Sequence, residues 1–197
     1  MNGWRLTGLL SLLLLAMSVS FVAGHADVEG LRLVIRATAR TSLALFAMAF
    51  SAAALAQLAA NDITRWQRRN RRYLGVSFAV SHAIHLAALV ALTQTDPVLF
   101  WTLTNPANIV LAGTAYLFIA AMTATSFDRT AAWLGPRRWR LLHLVGGWYI
   151  WVSFAAAVGK RLPEGPLYWA MMALTIAVGI VRLIAMSRRS KVALGTS

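Results

Sequence analysis

The chain has 197 residues, 59% of them hydrophobic and 13% charged, with nineteen Lys plus Arg against six Asp plus Glu and a formal charge of +13. A mean hydropathy of +0.64 with so little charge excludes an ordinary soluble domain and indicates a membrane protein. The basic residues fall in short blocks between apolar runs, which argues for membrane topology and against a nucleic-acid interface. The absence of cysteine excludes disulfides, thiolate metal sites and cysteine nucleophiles.

A hydrocarbon core about 30 Å thick takes about 20 residues of helix. Six apolar segments reach that length, near residues 5–24, 38–60, 73–93, 106–126, 141–159 and 166–186. In the first, Arg5 precedes "LLSLLLLAMSVSFVAG". That pattern also suits a secretory signal peptide cleaved near "GHA", but a retained helix agrees best with the loop charges that follow. Next comes "HADVEGLRLVIRATAR", in which Arg32, Arg36 and Arg40 recur every fourth residue, so it is expected to lie as an interfacial helix on the outer surface. The second and third segments are separated by Arg65, Arg68, Arg69, Arg71 and Arg72, and the fourth and fifth by Arg129, Arg137, Arg138 and Arg140. Lys160 and Arg161 cap the fifth segment, and Arg188, Arg189 and Lys191 follow the sixth. The positive-inside rule then predicts an all-α, six-transmembrane-helix bundle with both termini cytoplasmic. All five prolines, Pro97, Pro106, Pro136, Pro163 and Pro166, fall at predicted helix ends, and one transmembrane domain over 1–197 accounts for the chain.

Four histidines carry the functional argument, because an ionisable side chain within a span is costly and tends to mark function. His82 and His85 share a helix face in "SHAIH"; His143 opens the fifth helix in "RRWRLLHLVGGWYIW"; His25 sits at the outer mouth of the first. Imidazole is an axial ligand for haem iron, and the competing role is a hydrogen bond to a neighbouring helix. At about 1.5 Å per residue, His85 lies about 20 Å beyond Arg72, whereas His143 lies about 5 Å beyond Arg140. Opposed ligands of one iron need matching depth, and using His82 narrows the gap to about 10 Å without closing it. His25, Met48, Met171 and Met172 are further candidates for a second ligand, placed in the outer half.

The stretch "RRNRRYLGVSFAVSHAIHL" resembles the third transmembrane helix of the ferric-reductase-like transmembrane family, which includes the haem-binding membrane subunit of the bacterial methionine-sulfoxide reductase system. The match falls on Leu74, Gly75 and His85. "LGPRRWRLLHLVGGWYIW" is similar to that family's entry to helix five, through Leu134, Gly135, Arg137, Arg138, Leu142 and His143, and "ARTSLALFAMAF" to the start of its second helix. The resemblance covers about residues 36–160. It departs at Ala156, where haem-carrying members have a further histidine.

What the resemblance implies is an integral-membrane electron-transfer protein holding at most one haem b. His85 is the expected axial ligand, followed by His143 and then His82. Electrons would come from a separate donor, a flavin reductase or quinol, and pass to an outer-side acceptor across a bacterial-type inner membrane. The alternative is a haem-free six-helix scaffold or adaptor of the same descent, surrounded by membrane lipid. The arginine rim between helices would serve topology first, with haem propionates, anionic lipid or an acidic donor protein as other contacts. No Gly-rich phosphate loop, paired carboxylates or buried acidic residue supports a nucleotide-binding domain, a hydrolase or a coupled transporter.

Overall fold

Apolar runs bounded by proline and asparagine build a chain that is helical almost throughout. The computed structural model describes residues 2–25 and 27–194, with side chains to Arg188. The long helices are α1 (Trp4–Gly24), α2 (Asp27–Leu58), α3 (Asp62–Thr95), α5 (Pro106–Ala124), α7 (Pro136–Gly159) and α8 (Pro166–Leu194). Short helices α4 (Pro97–Leu103) and α6 (Asp128–Leu134) and a 3-10 turn at Leu162–Glu164 complete the order. Six helices are long and apolar enough to cross a membrane. Large hydrophobic side chains face outward along them, Leu12 at 64% and Leu117 at 72% exposure among them, so the bundle surface suits lipid.

Capping side chains fix several boundaries. Asn61 accepts from the Thr64 amide while its own amide donates to the Thr64 hydroxyl, a reciprocal cap that starts α3. Asp96 and Asn105 cap α4 and α5, each just ahead of a proline in the first turn, where the missing N–H costs nothing. Between α1 and α2 the chain reverses through Asp27 at φ 39°, in a region that Asp tolerates better than most residues. Gly30 then lets α2 pass α1 closely, since a Cβ there would stand 3.0 Å from the Phe21 carbonyl oxygen.

The structure corrects the expectation for the segment after α1. Residues from Asp27 to Thr38 are not a separate interfacial helix; they are the first three turns of α2. Gly30, Val34 and Thr38 are buried every fourth residue, so this segment has a core-facing stripe as well as its exposed arginine face. The basic segment 62–72 likewise continues into α3 without a break, because Arg, Gln and Trp impose none and no Gly or Pro intervenes.

The start of α1 and the Arg182 turn of α8 lie at the arginine-rich end of the bundle. The Gly3 amide donates to Asn70 Oδ1 at 2.9 Å, and the Trp4 ring stacks on Phe127 at 5.5 Å. Arg182 in α8 reaches the Phe50 carbonyl at 3.3 Å. The central pairing is α2 against α3, with α8 on the other side of α2 and α5 against α7. Phe46, Phe50, Phe78, Ile119, Ile150 and Val178 from five of these helices form the core.

Candidate functional site

Small hydroxyl residues bring α2 and α3 together below the histidines. Ser81 Oγ donates to the Thr38 carbonyl at 3.2 Å and accepts from Ser42 Oγ at 2.9 Å, and Thr41 Oγ1 lies 2.9 Å away. Ser42 and Ser81 are fully buried, so this network replaces the water that the helix interface excludes. Neither composition nor spacing singled these residues out, since serine and threonine are common in membrane helices.

One turn further along α3, His85 Nδ1 lies 3.0 Å from the Ile35 carbonyl and 3.1 Å from Thr38 Oγ1. The Thr38 hydroxyl hydrogen is directed at the Val34 carbonyl at 2.6 Å. Ile35 can only accept, so His85 carries its proton on Nδ1 and leaves the Nε2 lone pair free. That arrangement matches imidazoles that ligate metals, whose other ring nitrogen is held by a carbonyl.

His82 stacks on His85 with ring centroids 5.4 Å apart and planes 19° apart. Tyr116, Phe78 and Phe154 surround the His82 ring at 4.9, 5.3 and 5.9 Å. Its Nδ1 is buried with no hydrogen-bond partner. Two rings side by side on one helix cannot occupy opposite faces of one metal. Among the described residues no three His, Asp or Glu side chains converge as a metal site.

His143 lies elsewhere. Its Nε2 is 3.3 Å from Thr125 Oγ1, and its ring stacks on Trp139 at 4.2 Å. Thr125 Oγ1 is also within hydrogen-bond distance of the Ala121 carbonyl at 2.8 Å, so this contact ties His143 to the end of α5. On α7 the residue level with His82 is Phe154, eleven positions further on, which separates His143 from that level by about 16 Å of helical rise. Ala156 has about the right depth but lies about 200° around α7 from Phe154. Of the other second-ligand candidates, His25 is exposed and bonded to the Phe21 carbonyl. Met48 belongs to the arginine-rich half rather than the outer half, since its carbonyl accepts from Gln67 Nε2 at 2.7 Å.

The wall that holds His143 belongs to a cavity of about 360 Å³. It is lined by Arg68, Arg69, Arg71, Arg72 and Arg182, with Asp128 as the one carboxylate. Phe46, Phe78, Ile119, Met122 and Ile150 are apolar parts of its lining. Phe78 thus stands between this cavity and His82.

No protein-family model, no curated protein and no solved structure matches the chain.

Proposed function

We propose that this is a multi-pass membrane protein that holds one haem b through His85 Nε2 and carries electrons across the bilayer. The observation that supports it is a contact: the Nδ1 of an intramembrane imidazole, His85, lies 3.0 Å from the Ile35 carbonyl, which can only accept, so Nε2 is the nitrogen left to bind a metal. The chain supplies one axial donor, and His143 does not oppose it. A haem so held would supply one-electron transfer; the protein supplies the donor and its orientation, with the His82 ring stacked beside it at 5.4 Å. By the positive-inside rule the arginine-rich end and both termini face the cytoplasm of a bacterial-type cell. The donor is then a separate flavin reductase or quinol and the acceptor lies on the outer side, as the motif resemblance implies.

A second reading is favoured by the same hydrogen bond. His85 to Ile35 is an interhelical tie between α2 and α3, continuous with the Ser81 network, and it suits a haem-free scaffold as well as a ligand. Optical spectra of the detergent-purified protein, oxidised and then dithionite-reduced, separate the two. Electron transfer predicts a b-type spectrum that His85→Ala abolishes and His143→Ala leaves in place. A colourless protein from haem-replete cells would leave the scaffold reading.

A further inference from the structure

We propose that the arginine-lined cavity between α2, α3, α5, α7 and α8 is a binding site for a phosphate group carried on an apolar body. The inference does not rest on the haem reading, since neither His82 nor His85 lines the cavity. A volume of about 360 Å³ is within the range of small-ligand pockets, about 300–1,000 Å³.

Charge identifies the ligand class. Five arginines face the cavity with one aspartate, and Asp128 is 93% exposed and already paired with Arg72 Nη1 at 2.7 Å. Arg68 and Arg69 make no ion pair or hydrogen bond among the described residues. The Nε of Arg72 is buried without a partner even though its Nη1 is bonded. Arg182 is a cation within an apolar span, held 4.1 Å from the Phe50 ring. Topology alone requires positive charge beside a span; it requires neither a cavity nor an orphaned buried guanidinium nitrogen within one.

Arginine forks match phosphate oxygens in pairs, and a group carrying up to two negative charges balances this excess better than a single carboxylate. The lining residues Phe46, Phe78, Ile119, Met122 and Ile150 supply the complementary half, an apolar surface that takes an apolar body. Two sources present this chemistry, the headgroup of an anionic lipid and a soluble phosphate ester.

The test is a thermal unfolding titration of the full chain in detergent with short-chain phosphatidic acid, short-chain phosphatidylcholine and inorganic pyrophosphate. Phosphatidic acid is expected to raise Tm saturably, and phosphatidylcholine, with its charge neutralised, is not. Arg68→Gln/Arg69→Gln is expected to weaken the effect about tenfold or more, while Arg65→Gln, which is paired with Asp62 outside the cavity, leaves it within about twofold. Ser126→Glu, which adds a carboxylate to the wall without removing an arginine, is expected to weaken it as well. A response to pyrophosphate alongside phosphatidic acid assigns the site to soluble phosphates, and a response to phosphatidic acid alone assigns it to lipid. The proposal is overturned if neither anion shifts Tm, if phosphatidylcholine acts equally, or if Arg65→Gln loses as much as the double variant.

Discussion

Ser81 is the residue on which the α2–α3 interface turns. Its hydroxyl donates to the Thr38 carbonyl and accepts from Ser42, which has no other side-chain hydrogen bond among the described residues. Ser81→Ala is therefore expected to destabilise the bundle by about 1 kcal/mol, near the upper part of the range for interhelical hydrogen bonds in membranes, as read from detergent-denaturant unfolding. Asp128→Asn removes an ion pair whose carboxylate is almost wholly exposed, and the same measurement should show a loss of at most about 1 kcal/mol. The histidines were legible in the sequence because an imidazole is conspicuous in an apolar run. The serine network was not, because its meaning lies in which helix Ser81 faces. That His82 and His143 differ in depth was legible from helical rise, but its size was not, since counting from the arginines gives about 10 Å and the packing of Phe154 against His82 about 16 Å; the orphan Nδ1 of His82 depends on the aromatic rings that three-dimensional packing places around it.

Among whole elements, α7 and α8 meet where one glycine makes room for a tryptophan. A Cβ at Gly179 would stand 2.7 Å from the Trp151 indole, whose Nε1 donates to the Thr175 carbonyl at 2.8 Å. Both the ring and the hydrogen bond must then give way, so Gly179→Ala is expected to cost about 1–3 kcal/mol despite alanine's better helix propensity. Gly113→Ala, with no atom within 4 Å of its added Cβ, serves as the control in the same unfolding assay and should be neutral or slightly stabilising. The six spans were readable from apolar length, and the prolines marked real helix starts at 97, 106, 136 and 166. The extents of α2 and α3 were not, because hydrocarbon thickness limits the apolar run and not the helix. Arginine and glutamine extend a helix into the interface as readily as leucine does within the core.

For the molecule as a whole, the arginine distribution makes a claim about orientation that packing cannot make. The bundle gathers the α2–α3 junction, α6 and the first turns of α1 and α7 at one end, through contacts such as Trp4 with Phe127 and Arg72 with Asp128. The Leu162–Glu164 turn, between the exit of α7 and the entry of α8, lies at the other. Arginine-rich loops remain cytoplasmic because translocating them is unfavourable, so the first end should face inward. The cysteine-free chain lets this be read directly. Single cysteines introduced as Ala132→Cys in α6 and Glu164→Cys in the opposite turn both fall on exposed positions. A membrane-impermeant maleimide added to intact cells is expected to label Glu164→Cys and to reach Ala132→Cys only after permeabilisation. The reverse pattern would turn the bundle over, placing the phosphate cavity and His143 on the outer side and the His85 end toward the cytoplasm. Electron flow from a cytoplasmic donor would then have to enter from the histidine end.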